Sequence, residues 1–100
     1  MSRYVVEIAP LAERDLRDAI LWYRERSALA ADAFRVEAFD AIEKIGKAPL
    51  GKAADDEGNR RRVLHRFPYS VVYEVLESAV TNLAVTHRRR GPGYGREGRG

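Results

Sequence analysis

The spacing of apolar residues changes twice along this chain, and that change restricts its fold more than any other feature of the sequence. A short run of β-branched and aromatic residues over 3–9 predicts a strand. Apolar residues spaced three and four apart then predict two helices, one over 11–26 and one that begins after Ser27, a favourable N-cap, and stops at Gly46. Strict alternation returns in three later runs and predicts strands over 60–66, 69–76 and 80–87.

This order of elements, β-α-α-β-β-β, predicts an α+β domain with two layers. Two amphipathic helices joined by a tight turn should lie antiparallel, and three consecutive strands with short turns favour an antiparallel meander. We expect the helical hairpin to cover one face of a mainly antiparallel sheet. We assign a single domain to residues 1–94 and a flexible tail to 95–100. The long connection over 47–59 has no periodic signal and should be functional or mobile.

The composition excludes several kinds of protein. The chain has no cysteine, which rules out a disulfide scaffold, a thiolate metal site and a cysteine nucleophile. It has two histidines, too few to suggest a histidine metal site, so we expect neither a metal nor another cofactor. No apolar run approaches the roughly 20 residues of a membrane span. The N-terminus lacks the pattern of an export signal, so we expect a cytoplasmic protein without a membrane partner.

The net charge of +3 hides an asymmetry between the two halves of the chain. Residues 1–59 hold nine basic and twelve acidic residues, a net charge of −3. Residues 60–100 hold nine basic residues, all arginine, and three acidic ones, a net charge of +6. Arginine presents a planar group that can bind phosphate or carboxylate through two hydrogen bonds. The second half is therefore a candidate surface for an anionic partner, either a nucleic acid or an acidic protein.

Strand alternation and helical spacing select the candidate binding residues within this surface. Alternate arginines of the predicted second strand share one face, which becomes a basic surface if the helices leave that face open. Trp22 lies beside the apolar stripe of its helix, so an exposed indole there would indicate a partner site. The predicted partner-binding residues are Trp22, Arg60, Arg62, Arg66, Arg88 and Arg90.

Three segments make the order of elements more specific. Residues 12–23 read AERDLRDAILWY, residues 66–75 read RFPYSVVYEV and residues 83–94 read LAVTHRRRGPGY. Together they resemble the RelE/ParE superfamily, the toxins of type II toxin–antitoxin, or plasmid-stabilisation, systems. The resemblance covers nearly the whole chain. It implies a growth-inhibiting toxin that forms a hetero-oligomer with a cognate antitoxin. We expect that antitoxin to be acidic, with a flexible segment that folds along the helical hairpin and covers basic residues of the sheet.

The superfamily divides by target, and the resemblance favours one branch. RelE-like members are metal-independent endoribonucleases that cut mRNA on the ribosome, whereas ParE-like members block DNA gyrase. RelE-like sequences have a basic residue where this chain has Val63 and an arginine where it has Ser70. The resemblance therefore implies a ParE-like toxin that acts on gyrase and is not an enzyme.

Two alternatives remain open at this stage. In a RelE-like ribonuclease, the catalytic residues would be Arg61, His87, Arg89 and Tyr94, with His87 as general acid or base. Its partners would be the ribosome and mRNA. The second alternative is a non-toxic relative that acts only as a binding module.

Overall fold

The computed structural model of the chain describes residues 4–89, and the elements in it follow the predicted order. The assigned tail over 95–100 lies outside this range. The elements are β1 (Val5–Ile8), α1 (Pro10–Arg24), α2 (Ala28–Lys47), a 3₁₀ turn (Pro49–Gly51), β2 (Arg60–Val63), β3 (Tyr69–Leu76) and β4 (Ala79–His87). Within the described residues no helix is long and apolar enough to cross a membrane.

The four strands form a single mixed sheet in the order β1-β4-β3-β2. Strands β2, β3 and β4 form the predicted antiparallel meander, and β1 adds to β4 in parallel. Both helices pack on one face of the sheet, where Leu16 and Phe34 share a buried cluster with Val71 and Val85. The predicted two-layer α+β fold is therefore confirmed.

The helices form where apolar spacing predicts them. In α1, Pro10 occupies the first position, which needs no amide hydrogen, and the buried side chains recur at helical spacing. The hydroxyl of Ser27 accepts a hydrogen bond from the amide of Ala30 at 3.1 Å and caps α2. The buried stripe of α2 contains the five predicted residues, Phe34, Ala38, Ala41, Ile42 and Ile45.

A β-bulge interrupts the alternation of β4. The consecutive residues Val72 and Tyr73 of β3 pair with Ala84 and Asn82, so Leu83 is an extra residue in β4. The side chains before and after this residue therefore change parity relative to the sheet. The strict alternation that we predicted over 80–87 is wrong at this point.

At the bulge Asn82 pairs with Tyr73 and lies on the face of the sheet that holds the core. Asn82 is fully buried, and its amide nitrogen donates to the carbonyl of Glu7 at 3.0 Å. Its side-chain oxygen has no hydrogen-bond partner.

Beyond the end of β1, the carboxylate of Asp15 in α1 accepts a hydrogen bond from the amide of Val85 in β4 at 2.9 Å. The helix thus satisfies a backbone donor that β1 is too short to reach.

Strand β2 contradicts the predicted basic open face. Arg60 pairs with Tyr73 and Arg62 pairs with Val71, and directly paired residues project from the same face. Tyr73 and Val71 belong to the buried core, so the two arginines lie on the side that the helices cover. The physical reason is Leu64, which shares their parity and is 1% exposed.

Arg66 also leaves the predicted arrangement, because β2 ends at Val63 instead of continuing to residue 66. Arg66 therefore lies in the β2–β3 loop and not on a strand. It has no common face with the other arginines of this segment.

The connection over 47–59 is fastened to the sheet instead of being free. The hydroxyl of Tyr73 donates to the carbonyl of Pro49 at 2.9 Å, and the guanidinium of Arg60 donates to the carbonyl of Lys52. Burial raises the pKa of Tyr73, while Arg60 and Arg62 act in the opposite direction. The phenol therefore stays protonated at neutral pH and keeps its donor role.

Candidate functional site: an aromatic and arginine-rich end

Segments that are distant in sequence meet at one end of the domain. The last turn of α1, the β2–β3 loop and the end of β4 are joined there by a chain of ring contacts. The amide of Arg88 also donates to the carbonyl of Pro68 at 2.7 Å. We call this region the aromatic–arginine end. Its members are Trp22, Tyr23, Arg26, Phe34, Arg66, Phe67, Tyr69, His87, Arg88 and Arg89.

Tyr23 is the centre of the ring network. Its ring stacks on Phe34 with centroids 5.4 Å apart and meets Phe67 edge to face at 5.1 Å. It also meets Trp22 edge to face at 5.0 Å. Burial raises the pKa of Tyr23, and Tyr69 raises it further. These edge-to-face and stacked contacts hold the exposed Trp22 on a rigid base.

Trp22 is exposed in the way that we took to indicate a partner site. The side chain is 45% exposed, and the guanidinium carbon of Arg26 lies 3.7 Å from the ring centroid. The same guanidinium donates to the carbonyl of Trp22 at 2.7 Å and lies 3.6 Å from Glu25. A cation over the indole face is favourable, and this one also caps the end of α1.

Glu37 of α2 positions the β2–β3 loop. Its carboxylate is 15% exposed and accepts hydrogen bonds from the backbone amides of His65 and Arg66. It also lies 3.7 Å from the Nε atom of Arg66, whose own side chain remains 67% exposed. A single carboxylate thus fixes the loop to the helix and holds Arg66 at the surface beside Phe67.

The end of β4 places a histidine and two arginines next to this network. His87 pairs with Tyr69, and their rings lie 5.1 Å apart. The backbone amide of Arg89 donates to Nδ1 of His87 at 3.2 Å. Arg88 and Arg89 follow the strand, and both are exposed.

The register separates the residues of the ribonuclease hypothesis. Arg61 pairs with Val72, whereas His87 pairs with Tyr69. Because side chains alternate along β3, Val72 and Tyr69 project from opposite faces of the sheet. Arg61 therefore lies on the face opposite His87, with two strand spacings between their backbones. Tyr94, the fourth residue of that hypothesis, lies outside the described residues.

The predicted partner-binding residues divide into two groups by their position in the structure. Trp22, Arg66 and Arg88 meet at the aromatic–arginine end, while the arginines of β2 lie apart from it. Arg60 holds the preceding connection, as described above. Arg90 lies outside the described residues.

Helix α2 has an exposed apolar surface that was not predicted from the sequence. Three side chains outside its core stripe are exposed: Leu29 is 82% exposed, Val36 62% and Phe39 45%. We call these three residues the outer stripe of α2. Leu29 and Val36 are seven residues apart, so they lie on one line of the helix. That spacing is visible in the sequence and would have revealed a second apolar face.

The described part of the chain offers no metal centre. Among residues 4–89 no group of three or more histidine, aspartate or glutamate side chains could hold a metal ion. The functional groups that meet at this end are aromatic rings, guanidinium groups, one imidazole and the carboxylates of Glu25 and Glu37.

Comparison with known proteins agrees with this fold. The chain is similar to the toxin–antitoxin complex RelBE2 of Mycobacterium tuberculosis, with a TM-score of 0.60 and 23% identity over 88% of this chain and 94% of that one. It is also similar to the chromosomal ParDE system of P. aeruginosa, with a TM-score of 0.70 and 20% identity over 85% of this chain and 96% of that one. No curated protein matches it. The family model of the ParE toxin of the type II toxin–antitoxin system parDE matches residues 6–92, so this chain belongs to the ParE toxin family.

Proposed function

We propose that this toxin arrests growth by binding DNA gyrase without cleaving RNA, and that an acidic cognate antitoxin neutralises it. The observation that carries this choice of target is the separation of Arg61 from His87 across the sheet. RNA cleavage would require a base for the 2′-hydroxyl, a cation for the phosphorane and an acid for the leaving oxygen within hydrogen-bond reach of one phosphate. Two strand spacings alone amount to about 10 Å. Since gyrase acts in the cytoplasm, we place the toxin there.

The test of the target compares gyrase and mRNA directly. The purified toxin should inhibit supercoiling by gyrase and leave mRNA intact in a coupled translation reaction. Inducing the toxin in bacteria should relax plasmid DNA before bulk translation falls. Cleaved mRNA that becomes intact on His87→Ala substitution, together with unaffected gyrase, would establish the ribonuclease instead. Normal growth after induction of a stable protein would favour a non-toxic binding module.

The outer stripe of α2 supports the antitoxin half of the proposal. The opposite face of this helix is buried in the core, and these three apolar side chains remain exposed on the other side. An amphipathic segment of the antitoxin would cover them. Its carboxylates would meet the neighbouring arginines, of which Arg66 and Arg88 are exposed. The resulting assembly is a toxin–antitoxin hetero-oligomer.

Substituting Val36→Asp should weaken antitoxin binding by at least about a hundredfold. Removing a buried valine costs about 1.5–3 kcal/mol, and desolvating the new carboxylate adds to that, while every 1.4 kcal/mol is tenfold in affinity. Calorimetric titration with the antitoxin measures the change, and toxicity in cells co-expressing the antitoxin should return. The matched control is Leu76→Asp, since Leu76 is also 62% exposed but lies at the far end of β3. Equal losses in the two variants would contradict this docking site.

A further inference from the structure

We propose that the aromatic–arginine end binds single-stranded DNA, with Trp22 as a stacking platform and Arg66, Arg88 and Arg89 as phosphate contacts. This inference goes beyond the proposed binding of gyrase, which is a contact between two proteins. It uses the proposed target in one respect only, the choice of DNA as the nucleic acid.

The indole of Trp22 is 45% exposed at this end, so its ring is accessible to a partner. Bases stack on aromatic rings and on guanidinium planes. The guanidinium of Arg26 lies over one face of the Trp22 ring, 3.7 Å from its centroid, so a base can stack on the other face of the indole or on the outer side of the guanidinium. The edge-to-face contact with Tyr23 at 5.0 Å holds this platform in place.

The cations lie within the reach of a short strand. The ring centroids of Trp22 and Tyr23 are 5.0 Å apart. Tyr23 lies 6.4 Å from Tyr69, and Tyr69 lies 5.1 Å from His87, again between centroids. The platform is thus at most about 17 Å from the end of β4, which about five stacked nucleotides span at roughly 3.4 Å each. The backbone amide of Arg89 donates a hydrogen bond to Nδ1 of His87, the last ring of this series, so Arg89 lies beside that ring.

Two acidic side chains of this end lie beside arginines. Glu25 lies 3.6 Å from the guanidinium of Arg26, and Glu37 lies 3.7 Å from Arg66. Each carboxylate is offset by an arginine beside it. The two arginines after β4 then leave a positive excess at this end.

When the antitoxin is absent, the combination of rings and guanidinium groups favours a nucleic acid over another acidic peptide. The antitoxin and the strand would compete for Arg66 and Arg88. An acidic peptide would use the arginines but gains little from an exposed indole with a cation on its face. Stacking and phosphate contacts do not read the 2′-hydroxyl, so they do not distinguish DNA from RNA. The proposed target, gyrase, acts on DNA, and on that ground we assign the strand as DNA.

The experiment uses the single tryptophan of the chain as a reporter. Titrating a twelve-nucleotide oligo-dT into the full-length protein should quench Trp22 emission, and anisotropy of the labelled oligonucleotide should give the same affinity. With three phosphate contacts, log K should fall with log salt at a slope of about −2, since each contact on a single strand contributes about −0.7. The double substitution Arg88→Ala, Arg89→Ala should reduce that slope in magnitude by about 1.4.

Two substitutions at Trp22 separate stacking from folding. Trp22→Leu should weaken oligo-dT binding at least about tenfold by anisotropy, whereas Trp22→Phe should stay within about threefold because it keeps a ring. The matched control is Arg61→Ala, an exposed arginine on the other face of the sheet, which should leave affinity within about twofold. Thermal melting by circular dichroism verifies that each variant is folded.

Four results would overturn the inference. They are no quenching at low salt, equal affinity for a poly-glutamate of the same charge, a loss on Arg61→Ala as large as on the double substitution, and tenfold tighter binding of oligo-rU. The assays also separate the two proposals. Normal inhibition of gyrase without oligo-dT binding defeats this inference alone, while oligo-dT binding without gyrase inhibition defeats the proposed target alone.

Discussion

Replacement of Phe34 by alanine is expected to lower the free energy of unfolding by about 3–5 kcal/mol. Phe34 is 0% exposed, stacks on Tyr23 and meets Phe67 and Tyr69 edge to face at 5.3 and 5.2 Å. The substitution removes the transfer energy of the ring and leaves a cavity between α2 and the sheet. A loss of this size is a large part of the stability of a small domain.

Urea unfolding followed by circular dichroism measures this change through the midpoint and the slope. The control is Phe39→Ala, on the same helix but 45% exposed, which should cost less than about 1 kcal/mol. Phe39 belongs to the outer stripe, so its loss should appear in antitoxin binding and not in unfolding. A destabilisation of Phe39→Ala as large as that of Phe34→Ala would mean that the outer stripe is part of the core.

The helices were predictable because helical packing follows a local period. The spacing from Phe34 to Ile45 selects one face of α2, and each predicted residue is buried there. The N-cap at Ser27 depends on its neighbours three residues later and is equally local. A second apolar line on the same helix has the same kind of signal, and Leu29 and Val36 could have been found in this way.

The strands were less predictable because alternation states which residues share a face but not which face is covered. Leu64, directly after β2, is buried in the core. Arg60 and Arg62 share its parity along the strand, so they lie on the same face of the sheet. In β4, the bulge at Leu83 arises from pairing with β3 and leaves no mark on the spacing of β4 itself. Both errors come from contacts between different segments, which the spacing within one strand does not record.

The candidate site was also predictable only in part. Charge and composition identified the arginines, but they could not tell that Arg60 is bound to a backbone carbonyl while Arg66 is held at the surface by Glu37. Proximity of Trp22 to the end of β4 depends on the intervening rings of Tyr23 and Tyr69. Residue types were therefore predictable, and their assembly at one end was not.

The bulge gives rise to the second large prediction. Substituting Asn82→Asp should destabilise the protein by about 3–5 kcal/mol at pH 7. Asn82 is fully buried, and its amide nitrogen donates to the carbonyl of Glu7. An ionised carboxyl at this position would have no donor to give to that carbonyl and no cation opposite it. Burial should therefore raise the pKa of the new carboxyl in the folded state above its unfolded value of about 3.9.

The sign of the pH dependence follows from that raised pKa. The unfolded variant loses its proton first, so the deficit relative to the parent protein should be smallest near pH 4 and grow as pH rises through the folded pKa. Near pH 4 the protonated carboxyl can also donate to the Glu7 carbonyl in place of the lost amide. Urea unfolding of variant and parent at pH 4 and pH 7 isolates the effect, because titration of all other groups cancels in the difference. The variant Asn82→Leu cannot titrate and should show one constant deficit. An equal deficit of Asn82→Asp at both pH values would place this side chain in contact with water and reject the inward turn at the bulge.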